Sequence, residues 1–429
     1  GLIEPAAGAW RAAVDLRPHA TDSDGDLWVA SDFGSGQRPG VLRTDYVLGI
    51  GQASLTLAQL TTRKPVGRAL DLGTGCGIQT FHLLRHAAHV TATDISRRAL
   101  AFTRFNLLLN AKQLEIDPDN LDQRVSLRLG SLLEPVAGET FDQVVSNPPF
   151  VITPRGDGAE EQFTYRDGGL PGDDIVAALL RSIPGVLTPG GSAQLLGNWE
   201  ITGGSDWPDR IRGWIPPHTD AWFIQREQLS PTHYAETWLR DGAENREPER
   251  FEQRFADYLT DFASRGVQAI GFGLIWLRNP KAAEALMSRF EEITHEIEQP
   301  IGHHLAAAVE RCDWLDAHRD LDGQHMLVAE DVTEERHQRP GAEHPGVILL
   351  RQGAGFRRTT LLSTELAGFA SACDGDLTAG QIAGALGALL DRNDDGFRTS
   401  LLREVRQLVE DGFLVPAGSG SSQDGRSGR

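Results

Sequence analysis

The chain reads as an α/β protein built on a mostly parallel sheet with helices on both faces, followed by a small α+β domain. Three observations carry this. Short apolar, β-branched runs recur near residues 68–72, 90–94, 125–129, 141–146 and 192–198, and helix-length amphipathic stretches separate them. A glycine-rich turn follows the first run directly. At 429 residues the chain is also too long for one growing core, so two or three domains are expected.

In chain order, residues 1–45 are polar and loop-like around an apolar stretch, Leu27 to Ala30. They read as the end of an N-terminal element whose start lies outside the numbering. Ser54 to Leu60 is a helix candidate. Ile78 to Arg85 starts a helix after the glycine turn. Ser96 caps the next helix, with Ala99, Phe102, Phe105 and Leu109 spaced along one face. Ile175, Leu179 and Ile183 mark a helix after Asp173-Asp174, and Pro189-Gly190-Gly191 turns into the strand at 193–197. Residues 199–265 hold five of the nine tryptophans (Trp199, Trp207, Trp214, Trp222, Trp238) without a basic run, and read as a packed insertion or lid. Residues 266–278 alternate as the last strand of the sheet, which gives a main domain of 46–280.

The ends of these strands carry the chemistry, as expected for such sheets. Residues 147–150 read Asn-Pro-Pro-Phe. The side-chain oxygen of Asn147 and the carbonyl of Pro148 can each accept one N–H of a planar NH2 group. Pro149 removes a competing donor and stiffens the backbone. Phe150 offers a face for stacking. Upstream, Asp71-Leu-Gly73-Thr74-Gly75-Cys-Gly77 lets the backbone approach a ligand closely. Asp94 ends the next strand at a spacing suited to ribose hydroxyls in a Rossmann-type βαβ unit. The turn is not the GxGxxG of dinucleotide sites.

Taken together, these motifs resemble the class I S-adenosylmethionine (SAM) dependent methyltransferases. Within them the chain looks like the amino-methylating group with (N/D)PP(F/Y), which includes glutamine methyltransferases of release factors and of a ribosomal protein, small-domain ribosomal RNA methyltransferases and DNA adenine methyltransferases. The resemblance spans roughly residues 40–200 and the strand near 270, and implies a Rossmann-like fold. It implies that Asp71, Gly73, Thr74, Gly75 and Gly77 wrap the methionine part of SAM, that Asp94 holds the ribose, and that Ile95, Ser131 and Asn147 also bind the cofactor. Asn147, Pro148 and Phe150 then form the catalytic grip, with Pro149 beside the substrate. Arg43 to Asp45 with Val47 to Gly49 resembles a segment that closes over SAM. After Gly130, where relatives often carry an acid for the adenine amino group, this chain has Ser131.

Gly168-Gly169-x-x-Gly172 is similar to the segment after NPPY in glutamine methyltransferases. The loop 153–173 reads either as a substrate gate, with Tyr165 or Arg166 near the acceptor, or as a solvated connection. The implied reaction is in-line transfer of the SAM methyl to an NH2 nitrogen without a strong general base, so Asp142, Asp157 and Asp167 receive no catalytic role. The acceptor expected first is a protein glutamine or asparagine amide. An exocyclic amino group of RNA or DNA and a small-molecule amine are the alternatives, and a non-catalytic SAM-binding regulator is a reading of another class.

Residues 281–344 read as a connecting region of helix and loops. His303-His304 lack a third ligand at a usual spacing, so no metal is expected. From 345 to 416, a strand (347–351), a helix (Thr359–Cys373), a turn at Asp374-Gly375, a helix capped by Thr378, a third helix (Phe397–Asp411) and a strand (413–415) resemble a winged-helix module. Its third helix balances Arg398, Arg403 and Arg406 against Glu404, Glu410 and Asp411, which favours protein docking or packing over DNA. Residues 417–429 read as a disordered tail.

Net charge is −19, which disfavours broad phosphate binding. Lysine is confined to Lys64, Lys112 and Lys281, a compositional habit. Three scattered cysteines point to a reducing compartment, read as the cytoplasm, and no apolar run is long enough for a membrane helix.

Overall fold

A computed structural model describes residues 2–6, 8–20, 26–34, 37, 43, 45–154, 168–204, 206–242, 244–281, 284–392 and 394–418, apart from the side chains of 6 and 245. The chain divides into two compact units, Gly1–His295 and Glu296–Arg429. Among the described residues no helix is long and apolar enough to cross a membrane.

The first unit opens with two hairpins, β1 (Ile3–Ala6) with β2 (Ala9–Ala12) and β3 (Asp15–His19) with β4 (Leu27–Ser31). This corrects the loop-like reading of 1–45. Every residue of β2 is exposed, so no alternation marks it as a strand. Then follow α1 (Gln52–Leu60), β5 (Val66–Leu72), α2 (Ile78–Leu83), β6 (Ala87–Asp94), α3 (Arg97–Leu109), β7 (Val125–Leu129), β8 (Phe141–Ser146), α4 (Asp174–Ser182), β9 (Leu187–Thr202), α5 (Trp207–Arg212), β10 (Asp220–Leu229), α6 (Pro231–Asp241), α7 (Pro248–Ser264), β11 (Val267–Arg278) and β12 (Ser288–Glu292).

One eight-stranded sheet runs β12-β10-β11-β9-β8-β5-β6-β7. The five strands from β9 to β7 are mutually parallel, while β11 is antiparallel to β9 and β10. This is the predicted Rossmann-like sheet with an antiparallel extension. Its main core joins Leu70, Val144, Ile175, Leu179 and Leu195 to Trp199 and Phe223.

Two expectations change. Residues 199–265 are not a separate insertion or lid, because they contribute β10 to the sheet, and β11 is therefore an inner strand. The signal was hidden by buried polar residues. Asp220, fully buried, takes the Arg278 guanidinium at 2.6 Å and the backbone N–H groups of Leu286 and Met287. Gln225 accepts from the Trp199 indole at 2.9 Å. Second, α3 buries Ala99, Thr103, Asn106 and Leu107, whereas Leu109 is exposed. Asn106 exchanges hydrogen bonds with both the N–H and the carbonyl of Ala30 and donates to Cys76, and Asn110 does the same for Trp28. The two amides, one helical turn apart, act as a surrogate strand along the edge of β4.

The second unit contains α8 (Gly302–Ala317), β13 (His325–Val328), β14 (Val332–His337), β15 (Val347–Gln352), β16 (Thr359–Leu362), α9 (Thr364–Ser371), β17 (Asp374–Thr378), α10 (Ala379–Leu389), α11 (Asp395–Asp411) and β18 (Leu414–Pro416). It begins at Glu296, so the expected break after 344 falls inside it. Thr359–Cys373 is a strand and a shorter helix, because Ser363 caps α9 through the N–H of Leu366. Asp374-Gly375 starts β17 instead of forming only a turn. Thr378 and Gln381 form a full capping box on α10, and Gly412, with φ of 84°, ends α11. The sheets are β17-β13-β18 and β14-β15-β16, so the two strands near the three helices are joined through β13. Arg398 pairs with Asp322, and Arg406 donates to the carbonyls of Leu315 and His318. All three arginines on the third helix are thus engaged inside the unit, Arg403 through the Ser400 hydroxyl.

Gly271 and Gly273 of β11 leave room for the fully buried Trp199 ring. A Cβ at 273 would collide with the Ile224 carbonyl and lie 2.6 Å from that ring. Gly273→Ala is therefore expected to cost about 2 kcal/mol or more, read as a fall in the urea midpoint. An unchanged midpoint would mean that β10 and β11 pack less closely than described.

Candidate active site

Nine of the fourteen predicted site residues lie at the carboxyl ends of β5, β6, β7 and β8, around one cavity of about 410 Å³. Gly73, Thr74, Gly75, Asp94, Ile95, Ser131, Asn147, Pro148 and Pro149 all line it, with Tyr46 to Gly49 on another side.

The glycine turn is held from below. Asp71 is buried and accepts the hydroxyls of Thr74 (2.7 Å) and Thr80 (2.6 Å). Burial pushes its carboxyl up to about 6, against the pull of those two hydroxyls. Asp71 therefore shapes the turn from beneath and is not among the residues lining the cavity. Gly73 and Gly75 need their left-handed backbone (φ of 79° and 58°) for the chain to double back. Gly77, also left-handed, starts α2 so close to α3 that a Cβ would lie 3.2 Å from Thr103.

At the end of β6, Asp94 accepts the N–H of Gly75 (3.0 Å) on one oxygen and that of Ser96 (2.8 Å) on the other. Burial raises its pKa. A carboxylate offers about four lone-pair positions, so capacity for hydroxyl donors remains on both oxygens.

Asn147 follows β8, whose last residue, Ser146, bonds the Leu72 carbonyl at 2.8 Å. The Asn147 side-chain oxygen is buried and has no hydrogen-bond partner among the described residues. An unpaired buried acceptor is costly, and here it stands beside a cavity. The Pro148 carbonyl already accepts the N–H of Phe150 at 2.8 Å and keeps one lone pair. Phe150 is half-buried against the core and is not among the lining residues, so the expected stacking face is not on the cavity wall. Tyr165 and Arg166 lie outside the described residues. Asp142 sits at the opposite end of β8, where it takes the N–H groups of Gly67 and Arg68.

The wall at 46–49 depends on residues that sequence reading missed. Asp32 accepts the N–H of Val47 (2.9 Å) and the Arg98 guanidinium (3.0 Å), tying β4, the wall and α3 together. Asn106 and Asn110 fix β4 itself, and their spacing within Asn-Leu-Leu-Leu-Asn was the available signal. On the side of residues 168–173, Asp173 takes Arg210 (2.6 Å) and the Glu200 N–H (2.7 Å), and Glu200 takes Arg265 (2.7 Å). This network anchors residues 168–173, where a Cβ on Gly168 would lie 2.9 Å from the Pro149 carbonyl. A second pocket of about 150 Å³, lined by Asp15, Arg17, Ser31 and Gln37, shares Tyr46, Leu48 and Gly49 with the main cavity.

Asp71 has a testable pH signature. Its folded pKa of about 6 exceeds the ordinary 3.8, so the folded chain holds this proton more tightly than the unfolded one. Stability therefore falls as pH rises through this window and levels off above it. Asp71→Asn is expected to remove that slope from urea-unfolding curves, while a variant with the wild-type slope would show that Asp71 is ionised throughout.

The methyltransferase small domain family matches residues 38–163, less than a third of the chain. The chain is 32% identical over 160 residues to a ribosomal protein uL3 glutamine methyltransferase of Bradyrhizobium diazoefficiens, covering 35% of this chain and 46% of that one. It is 36% identical over 128 residues to a release factor glutamine methyltransferase of Moorella thermoacetica, covering 28% and 42%. The chain thus spans less than half the length of these relatives. Among solved structures, a 16S rRNA methyltransferase of T. thermophilus in complex with AdoMet and guanosine aligns at TM-score 0.31 and 19% identity, covering 49% and 48%. An rRNA methylase from Streptococcus thermophilus aligns at 0.28 and 14%, covering 53% and 94%.

Proposed function

We propose that this chain is a SAM-dependent N-methyltransferase whose acceptor is a planar NH2 group, in the first place a protein glutamine or asparagine amide. The observation that carries this is the buried oxygen of Asn147, without a partner among the described residues, at a cavity also lined by the glycine turn and Asp94. A cavity of about 410 Å³ falls in the range of ligand sites. Two curated relatives named as glutamine methyltransferases support the protein-amide choice, and so does the charge of −19.

The residues fit SAM as follows. Asp94, with lone pairs to spare on both oxygens, holds the ribose hydroxyls. The turn from Gly73 to Gly77 brings backbone against the methionine part, over Asp71. Ile95 and Ser131 border the adenine side. When bound, SAM supplies a methyl group on a positively charged sulfur, already activated for displacement.

Asn147 and Pro148 do the remaining work. The Asn147 oxygen accepts one N–H of the acceptor and the free lone pair of the Pro148 carbonyl accepts the other. This pins the plane of the NH2 group and turns the nitrogen lone pair toward the methyl. As the carbon–nitrogen bond forms, the carbon–sulfur bond breaks, and the surplus proton on nitrogen leaves to water afterwards. Positioning supplies the acceleration, without a general base. Pro149 stiffens the grip, and Phe150 supports it from the core side.

Asn147→Ala is expected to leave SAM affinity within about twofold of wild type and to lower kcat about a hundredfold. Intact turnover would remove Asn147 from the acceptor site. Asp94→Ala is expected to weaken SAM binding by about tenfold or more in calorimetry, and unchanged affinity would end its ribose role. Incubation with tritiated SAM and extract from cells lacking this protein tests the acceptor. Label released by protease supports the amide, whereas label released by nuclease transfers the reading to a nucleobase.

A further inference from the structure

We propose that Tyr234, in the aromatic-rich stretch downstream of the matched region, is a positioning residue for the acceptor grip, acting through the backbone of Ile152. The inference rests on the methyl-transfer reading above and gives the 199–265 segment a part in it. Ile152 lies five residues after Asn147, where the chain has left β8 and is in neither helix nor strand. Its buried N–H finds a partner in the Tyr234 hydroxyl at 2.8 Å.

That hydroxyl is itself held. Asn198 donates to it at 2.8 Å, and Tyr234 is fully buried. Its ring packs edge-on to Phe262 (5.6 Å between centroids) and stacks on Phe272 (5.7 Å). Asn198 lies on β9 three residues beyond Leu195, which pairs with Ser146, so the parallel register brings it level with Pro149. Burial raises the phenol pKa well above its usual range, so the oxygen stays neutral.

A phenylalanine would fill this apolar cluster of Val151, Ile152, Tyr258, Phe262 and Ile270 equally well. Burying a hydroxyl there is favourable only because the oxygen satisfies two donors. One of those donors is the backbone just past Asn147-Pro148-Pro149-Phe150. With two prolines limiting rotation at one end and Tyr234 pinning the other, the segment holding the Asn147 amide has little freedom.

Tyr234→Phe keeps the ring and removes only the oxygen. In hydrogen exchange of the ligand-free protein, the Ile152 amide is expected to exchange about tenfold faster or more while β5 and β6 keep their protection. SAM affinity is expected to stay within about twofold and kcat to fall about tenfold. In the Asn147→Ala background the same change is expected to add no further loss of rate, since the grip it serves is already gone. Unchanged exchange at Ile152, or an equal rate loss in both backgrounds, would overturn the proposal, the latter marking a general loss of stability. Asn198→Ala, which withdraws the other support of the oxygen, is a second variant expected to act in the same direction if Tyr234→Phe folds poorly. A wild-type chain that transfers no methyl, with Ile152 still freed by Tyr234→Phe, would sink the methyl-transfer reading and leave Tyr234 as a backbone anchor alone.

Discussion

The site hangs from the end of β6. Two backbone N–H groups of the glycine turn, those of Gly73 and Thr74, reach the Thr93 carbonyl at 3.0 and 2.9 Å. Gly75 and Ser96 donate to the two carboxylate oxygens of Asp94, and Gly130 donates to its carbonyl at 3.1 Å. Five N–H groups from the loops after β5, β6 and β7 thus meet on two consecutive residues. A half-buried carboxylate with charge-assisted bonds from backbone is a stiff junction. It fixes the path of the turn, the start of α3 and the position of Ser131 together. The ribose assignment of Asp94 therefore uses an oxygen pair that the fold has already immobilised, which is the preorganisation a binding site requires.

Much of this was legible because the constraints are local. A strand ending in Asp71, a run needing left-handed backbone at Gly73, Gly75 and Gly77, and a strand ending in Asp94 each leave a mark within a few residues. Parallel strands were readable where a short apolar run is buried, as at Ala69-Leu70 in β5 and Val144-Val145 in β8. What escaped reading depends on distant partners. Asp220 in β10 looks wrong for a buried strand until Arg278 is seen opposite it. Asn106 and Asn110 look like flaws in a helix face until β4 is seen beside them. Phe150 was read as a stacking surface from its neighbours in sequence, yet its surroundings include the core formed by elements much further along.

The polar interior beyond β9 has a consistent logic. Asp173 with Arg210, Glu200 with Arg265 and Asp220 with Arg278 are carboxylates at 3% exposure or less, each bonded to a guanidinium. Such pairs are weak sources of net stability, since desolvation offsets most of the attraction, but losing one partner is costly. Their value is in geometry. A guanidinium fork fits a carboxylate in few orientations, so each pair specifies how α5, α7 and β11 sit against the sheet more sharply than an apolar contact would.

That specification reaches the acceptor side of the cavity. Asp173 stands where the chain enters α4, and the two donors it accepts come from Glu200 on β9 and Arg210 on α5. Tyr234 from α6 meets the same region from the Ile152 side. The contact of the glycine turn with Asp94 spans 19 positions, whereas the proposed acceptor side is held by contacts spanning 27 to 82, and the wall at 46–49 leans on equally distant ones from Asp32, Asn106 and Asn110. A ligand shared by many enzymes is compatible with a short, self-contained turn. An acceptor peculiar to one enzyme calls for contacts that can change without disturbing that turn. On the proposed function, the segment from Asn147 to Ile152 is supported from a separate, downstream part of the sheet that does not touch the glycine turn through these bonds.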